Sequence, residues 1–337
     1  MRTTKFAGVA VMAAAALVLA ACSSGGTTDD ASSGGDSSSS SSDAGSGDEL
    51  YVALISKGFQ HQFWQAVKLG AEQAADELGV RMTFDGPDSE AEVEQQLQQL
   101  QTALNANPDA IGFAALDSEA SIPILEQAQS AGIPIVAFDS GVDSDIPVTT
   151  ASTDNKAAAA EAATHMAELA DHTGDVAIVC HDQTSITGIE RRDGFVEYME
   201  SNEPDMNVVD IQYGGGDQLK STDITKAILQ ANPDLVGIYG CNEGSAIGIV
   251  NGVNELNMSG KVIVIGFDSG QAQIDAIKSG LMAGAITQNP VGIGYETVKA
   301  AVAAINGEDL PTTIDTGYYW YDSTNIDDPE IQAVLYE

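Results

Sequence analysis

Residues 106–113 read ANPDAIGF, and residues 231–238, which lie 125 positions further along the chain, read ANPDLVGI. A second echo follows in the same order, because residues 137–141 (AFDSG) recur as residues 266–270 (GFDSG) after 129 positions. Two echoes at nearly the same offset indicate a duplicated unit, since this period is far too long for a solenoid of short repeats. The sequence therefore predicts two lobes of similar architecture.

Short apolar runs alternate with amphipathic stretches from about Asp48 almost to the end of the chain. The runs that read as strands are Leu50–Ile55, Ala110–Ala114, Ile133–Phe138, Val176–Val179, Leu235–Tyr239 and Val262–Phe267. Strands that are apolar throughout and separated by helices are typical of parallel sheets with helices on both faces. The predicted fold class is therefore α/β, with one doubly wound parallel sheet in each lobe.

Residues 1–21 read as a signal peptide. Arg2 and Lys5 precede the apolar run 6–21, which is too short and too rich in alanine for a membrane span. The run ends in LAAC at residues 19–22, which resembles the bacterial lipoprotein signal. That resemblance implies a lipid on Cys22 and an extracytoplasmic protein anchored to the cell membrane. The alternatives are an ordinary signal peptide with a chance cysteine, or an uncleaved anchor.

Residues 22–47 consist almost entirely of Ser, Gly, Asp, Thr and Ala after the cysteine. Such a segment cannot bury enough apolar surface to offset its ordering entropy, so we expect it to be disordered. With the chain statistics of Gly/Ser linkers it would reach about 25–30 Å, which suits a tether.

The charge and the motifs of the chain exclude several classes of function. Acidic residues outnumber basic residues 50 to 13, for a formal net charge of −37. This balance argues against nucleic acid, whose binding requires Lys and Arg, and against docking on anionic lipid head groups. The sequence also lacks a nucleophile elbow, a phosphate loop and a zinc helix. We therefore expect no catalysis, no metal and no other cofactor.

Polar residues follow four of the predicted strands: Ser56, Asp139, Asn242 and Asp268. In an open parallel sheet, ligands bind beyond the carboxyl ends of the strands. Each residue alone could instead be a helix N-cap, but four of them in two similar lobes favour one shared cleft. Carboxylates accept hydrogen bonds from hydroxyl groups and amides donate or accept, so this set suits a ligand rich in hydroxyls.

Aromatic and basic residues add to this pattern. Phe63 and Trp64 offer flat walls for a sugar ring, although at most one of them is expected to pack as core instead. Arg191 could place its planar guanidinium group in the cleft, where it can donate hydrogen bonds to two oxygen atoms at once. Alternatively, Arg191 and Arg192 form a solvated pair that is neutralised by the neighbouring acidic residues.

Seven short sequence motifs occur in a characteristic order over the folded region. They are FW at 63–64 before KLGA at 68–71, the run 133–139, ASTDN at 151–155, ERRDGF at 190–195, NE at 242–243, GFD at 266–268 and TQ at 287–288. From about Asp48 to the end, the chain thereby resembles the type I periplasmic sugar-binding proteins of ABC importers, in particular ribose-binding proteins. The resemblance implies two lobes joined by a three-strand hinge.

The resemblance also implies a set of ligand-binding residues. They are His61, Phe63, Trp64, Asp139, Ser140, Arg191, Asn242, Asp268 and Gln288. The two rings would form the aromatic sandwich of the family. Three positions depart from the family pattern: His61 replaces an amide, Ser140 replaces an arginine, and Gly216 falls where an aromatic ring closes the pocket. These departures should enlarge and partly neutralise the site, which favours another pentose, a hexose or a polyol over ribose.

By the same resemblance, residues 48–153 and 290–317 form the N-terminal lobe, and residues 154–289 and 318–337 form the C-terminal lobe. The implied partners are a monosaccharide or sugar alcohol and the permease subunits of an ABC importer, with the binding protein itself a monomer. The alternative is a chemosensory protein whose ligand-bound form is recognised by a membrane receptor.

Cys180 and Cys241 are the two cysteines of the folded region. Outside the cytoplasm such a pair either forms a disulfide or remains as buried thiols. The strand order 2-1-3-4-5 implied by the resemblance makes their strands neighbours, about 5 Å apart. This separation is within disulfide reach, so we predict a bridge.

Overall fold

The computed structural model describes residues 49–336. The predicted signal peptide (1–21) and tether (22–47), with Cys22, lie outside the described residues. Within residues 49–336, no helix has the length and the apolar character needed to cross a membrane.

The described residues form twelve strands. They are β1 (Tyr51–Ile55), β2 (Arg81–Asp85), β3 (Ala110–Phe113), β4 (Ile135–Phe138), β5 (Thr149–Ser152), β6 (Gly174–Cys180), β7 (Met206–Tyr213), β8 (Gly237–Gly240), β9 (Ile263–Phe267), β10 (Gly284–Gln288), β11 (Thr313–Asp315) and β12 (Tyr318–Asp322). Their apolar sequences reflect burial on both faces; in β1, for example, all five side chains are buried.

Ten helices connect and cover these strands. They are α1 (Gln62–Leu78), α2 (Val93–Asn105), α3 (Ile122–Ser130), α4 (Asn155–Leu169), α5 (Ile186–Asn202), α6 (Gln218–Ala231), α7 (Glu243–Glu255), α8 (Gln271–Lys278), α9 (Pro290–Ile305) and α10 (Pro329–Gln332).

The strands form two six-stranded sheets of the same design. The first has the order β11-β5-β4-β3-β1-β2 and the second β12-β10-β9-β8-β6-β7. All neighbouring strands are parallel except β10 and β12, which are antiparallel. The chain passes between the sheets three times, after β5, β10 and β11. The predicted fold class, two doubly wound parallel-sheet lobes, is confirmed, while the predicted residue limits of the lobes stay a prediction.

Helices α1 and α9 of the N-terminal lobe pack closely against each other because each has a glycine at the contact. A Cβ atom on Gly70 would overlap the backbone of Val291, and one on Gly294 would overlap the backbone of Val67. This packing fixes α1, whose first turn carries Phe63 and Trp64, against the core of the N-terminal lobe.

Candidate functional site

A small buried cavity lies between the two sheets, at the carboxyl ends of their strands. Both lobes contribute its lining residues, which are Lys57, His61, Phe63, Trp64, Glu90, Asp139, His181, Thr187, Arg191, Asn242, Asp268 and Gln288. Eight of the nine ligand-binding residues expected from the sequence therefore line one space. The exception is Ser140.

Asp139 and Asp268 occupy equivalent positions in the two lobes. Each follows a strand, β4 or β9, and each has a left-handed backbone, with φ of 56° and 80° respectively. Their amides donate to the neighbouring strand, Asp139 to the carbonyl of Ala151 at 2.9 Å and Asp268 to the carbonyl of Ile286 at 2.6 Å. Non-glycine residues rarely adopt this conformation, and aspartate tolerates it better than most. The repeated FDSG sequence thus builds the same turn twice and brings both carboxylates to the cavity.

The two carboxylates differ in their partners. Asp268 accepts from the Glu243 amide at 2.9 Å and from the Gln288 side chain at 2.7 Å. Gln288 in turn accepts from the Thr153 hydroxyl at 2.8 Å, close to two of the chain crossings. Asp139 is 5% exposed, and its carboxylate accepts no hydrogen bond from any group within residues 49–336. This oxygen pair is available to a ligand.

Burial raises the pKa of Asp139 to about 6. Lys57 and Arg191 oppose this change, and the negative charges of Glu90 and Asp268 add to it. An unpaired buried carboxylate is costly unless a donor reaches it. The cavity therefore favours a ligand that supplies hydrogen-bond donors at this point.

Arg191 and its neighbour Arg192 point in different directions. The Arg191 guanidinium stacks on the Phe267 ring at 3.8 Å, and it donates to the Asn155 side chain at 2.8 Å and to the Cys241 carbonyl at 3.0 Å. Arg192 instead pairs with Asp193 outside the cavity. The interpretation of both as one solvated pair is therefore wrong, because only Arg192 is solvated.

Phe63 and Trp64 line the cavity and also belong to the core of the N-terminal lobe, with 5% and 1% of their surface exposed. The expectation that at most one of them packs as core is wrong. Their rings meet edge to face, with centroids 4.9 Å apart and an interplanar angle of 86°. They form a corner rather than the two parallel faces of a sandwich, because consecutive helix residues point about 100° apart.

Ser140 does not reach the cavity. It is fully buried, its amide donates to the Phe138 carbonyl at 2.6 Å, and its carbonyl accepts from the Ala115 amide at 3.0 Å. The left-handed turn at Asp139 folds the next residue back against the sheet. Ser56 is likewise turned away, donating to the backbone at Gly58.

Four lining residues were not predicted from the sequence: Lys57, Glu90, His181 and Thr187. Lys57 and His181 come just after the ends of β1 and β6, so the strand-end rule could have found them. Burial lowers the pKa of His181, which favours its neutral form.

Glu90 lies in the loop before α2 and links three elements. It accepts from the Trp64 indole at 2.8 Å and, across the cleft, from the Asn242 amide at 3.2 Å. Burial raises its pKa, but the positive charge of Lys57, together with the His61 side chain and the Trp64 hydrogen bond, outweighs this, and the pKa falls to about 2. Glu90 is therefore an anion throughout the ordinary pH range.

The expected enlargement at Gly216 is countered by neighbouring side chains. A Cβ atom at this position would come within 3.1 Å of Glu90 and of Gln60, and within 3.2 Å of Asn242. The space that a larger side chain would need here is thus occupied by polar groups of both lobes.

The structure joins Cys180 and Cys241 in a disulfide between the ends of β6 and β8, with their Cα atoms 4.7 Å apart. The bridge lies directly beside the cavity, since the Cys241 carbonyl holds Arg191.

We expect the Cys180→Ala/Cys241→Ala double variant to melt about 10 °C lower than the native chain. A bridge that closes a loop of 61 residues stabilises the fold by about 4 kcal/mol in the chain-entropy model. Differential scanning calorimetry measures the shift. Peptide mapping after alkylation without reductant should leave both cysteines unmodified in the native chain, and their alkylation would contradict the bridge.

Residues 52–309 match the sequence model of the periplasmic binding protein domain. The chain belongs to this family. It is 30% identical to the D-allose-binding periplasmic protein of Escherichia coli over 260 aligned residues. The alignment covers 75% of this chain and 83% of that relative. The resemblance inferred from the sequence landmarks is confirmed.

Solved structures of the family agree. An ABC transporter solute-binding protein from Agrobacterium vitis, bound with α-D-tagatopyranose, is 30% identical and covers 86% of this chain and 100% of its own, with a TM-score of 0.83. A carbohydrate transporter solute-binding protein from Agrobacterium radiobacter, in complex with D-arabinose, is 31% identical with the same coverage and TM-score. These family members are solute-binding proteins that hold monosaccharides.

Proposed function

We propose that the protein captures a monosaccharide or sugar alcohol between its lobes and presents it to the permease of an ABC importer. The observation that carries this proposal is the free, buried carboxylate of Asp139 in a closed cavity that also holds Arg191 and an aromatic corner. Hydroxyl groups supply the donors that Asp139 lacks, and C–H faces pack on rings. Micromolar affinity requires about −8 kcal/mol, which a few buried hydrogen bonds with ring packing provide.

The ligand-binding set that we propose is the eight predicted residues that line the cavity, with Lys57, Glu90, His181 and Thr187 added. The relatives described above bind D-allose, α-D-tagatopyranose and D-arabinose, which are two hexoses and a pentose. We retain the proposal that ribose is not the preferred ligand, because polar side chains replace the closing ring near Gly216.

The rest of the cellular role follows from the sequence. We propose that Cys22 carries the lipid that anchors the protein outside the cytoplasm, that residues 22–47 act as the tether, and that the protein works as a monomer without catalysis or a cofactor. In the sensory alternative, the same closed form is recognised by a receptor rather than a permease.

A panel of sugars tests the proposed function. Thermal-shift measurements on the protein with D-allose, D-tagatose, D-arabinose, D-ribose and the corresponding alditols should show at least one clear rise in melting temperature. Calorimetric titration then gives the affinity of the best ligand. Ribose as the best binder would contradict the ligand proposal, and the absence of any shift would contradict the function.

Glu243 makes one of the contacts that join the lobes, and it does so without lining the cavity. His61, the N-cap residue of α1, makes no side-chain cap. Glu243 from α7 accepts instead from the amides of Gln62 at 3.3 Å and Phe63 at 3.4 Å. A carboxylate at a helix N-terminus is stabilising. Closure therefore supplies a cap that the open form lacks.

We expect Glu243→Gln to weaken sugar binding about tenfold, because capping by a charged group contributes about 1–2 kcal/mol to the closed state. Calorimetric titration measures the loss. The control is Glu119→Gln, a change on the N-terminal lobe away from the cavity, which should leave the affinity unchanged. Equal affinities for the native chain and the Glu243 variant would show that the cap does not drive closure.

A further inference from the structure

A second cavity, of about 410 Å³, adjoins the first one on the hinge side. Both lobes line it: Thr150 and Thr313 lie on strands of the first sheet, Gly141 lies in the loop after β4, and Ile186 and Glu190 come from α5. Thr313 and Asp315 at its outer end are exposed, so this space reaches solvent. We call it the outer compartment, and the first cavity the inner compartment.

Asp139 is the residue that lines both compartments. Its side chain is buried and its carboxylate is unpartnered within residues 49–336, as described above. Next to it, Arg191 in the inner compartment holds Asn155 in the outer one through a 2.8 Å hydrogen bond. The two spaces therefore meet at Asp139 and beside the contact between Arg191 and Asn155, which are groups that bind hydroxyls.

The outer compartment has its own chemical character. Its polar side chains are mainly hydroxyls and carboxylates, those of Thr150, Ser152, Thr313, Asp154, Glu190 and Asp315. No Lys or Arg is among the described residues that line it. Such a surface accepts hydrogen bonds from neutral hydroxyl groups and repels phosphate or carboxylate substituents.

We propose that the outer compartment is a second sugar subsite, which receives a neutral, hydroxyl-rich group attached by a glycosidic bond to the sugar ring in the inner compartment. The ligand class is thereby extended from monosaccharides to uncharged disaccharides and glycosides. This inference rests on the proposed function and deepens it.

Gly141 allows the outer compartment to be filled without disturbing the inner one. It lines only the outer space. A Cβ atom added there would meet nothing closer than the Thr150 hydroxyl at 3.9 Å, and its φ is not in the left-handed range. A tryptophan at this position would project into the compartment without backbone strain. Thr313→Trp fills the same space from the exposed strand β11, and serves as a second variant.

The test compares the native chain with Gly141→Trp and Thr313→Trp by calorimetric titration. The probes are D-glucose, D-galactose, D-allose and D-tagatose, their methyl glycosides, and the disaccharides maltose, cellobiose, lactose and melibiose. At least one disaccharide or methyl glycoside should bind the native chain within about tenfold of its parent monosaccharide. Each variant should bind that disaccharide or glycoside about a hundredfold more weakly and should bind the monosaccharide with unchanged affinity. Leu219→Trp, at an exposed position of α6, is the control and should change neither affinity.

Three outcomes overturn the inference. One is a native chain that binds a monosaccharide but no disaccharide or glycoside. Another is that the Gly141→Trp and Thr313→Trp variants, which fill the outer compartment, bind the disaccharide as tightly as the native chain does. The third is a pair of variants that melt normally yet lose mono- and disaccharide equally. If no probe of either kind binds the native chain, the proposed function itself fails, which is a distinguishable result.

Discussion

The Asp139→Asn variant is expected to bind sugar about a hundredfold more weakly than the native chain, yet to melt several degrees higher without sugar. Hydrogen bonds from a ligand to a charged acceptor contribute about 1.5–3 kcal/mol each. The substitution removes that charge, and asparagine tolerates the left-handed backbone at this position. Without ligand, the unpaired buried carboxylate costs the fold roughly 3 kcal/mol, as its raised pKa implies. Calorimetric titration and thermal melting measure the two effects.

The same residue predicts a pH dependence. The folded pKa of Asp139, about 6, lies above its ordinary value of 3.8, so the folded state holds the proton more tightly than the unfolded state. The stabilising contribution of this group is complete below about pH 4 and is lost as the pH rises through about 6. Sugar affinity follows the opposite course, because the ligand requires the carboxylate, and should fall about tenfold from pH 7 to pH 5. Asp139→Asn should remove this dependence.

Asp268→Asn is the matched control, since it changes the equivalent residue of the other lobe. Its carboxylate already accepts from Glu243 and Gln288, so the substitution leaves one donor unpaired and should lower the melting temperature. We expect the melting temperature to rise in Asp139→Asn and to fall in Asp268→Asn. A lower melting temperature in both variants would show that the Asp139 carboxylate has a hydrogen-bond partner in the free protein.

The sequence was sufficient for the fold and for most of the site because both depend on local patterns. The echoes of ANPD and FDSG indicated two similar lobes, and polar residues after apolar strands indicated the edge of the cleft. Asp139, Asn242 and Asp268 were found in this way. The same rule did not hold for Ser56, and the residue set implied by the resemblance did not hold for Ser140, because the direction of a side chain after a strand depends on turn geometry that the residue type does not specify.

Glu90 could not have been predicted from the sequence. It lies in a loop with no motif, and its position is set by Trp64, 26 residues away, and by Asn242, 152 residues away in the other lobe. Only closure of the lobes brings Asn242 to Glu90. The dual role of Phe63 and Trp64 was missed for a related reason: the packing of α1 on α9 decides which ring faces are left for the cavity.

The Arg191→Met variant is expected to lose sugar binding by more than about a thousandfold and to lose about 3 kcal/mol of unfolding free energy. Three carboxylates, those of Glu90, Asp139 and Asp268, line the cavity, and Lys57 and Arg191 are the cations that face them. Removing one of two cations leaves buried charge uncompensated, which is strongly destabilising. It also removes the fork that could donate to two ligand oxygens, worth about 4 kcal/mol in two charge-assisted bonds.

Arg192→Met provides the control, because it removes the same side chain from the adjacent position. Arg192 pairs with Asp193 and donates to the Tyr213 hydroxyl at 3.2 Å, outside the cavity. Its loss should leave the affinity unchanged. Arg191→Lys separates charge from geometry: it keeps the cation but cannot hold Asn155 and Cys241 together, so we expect near-native stability with weak binding. If calorimetric titration gave equal affinities for the Arg191 and Arg192 variants, this cavity would not be the ligand site, since the loss of one of the two cations that face its three carboxylates should weaken binding there.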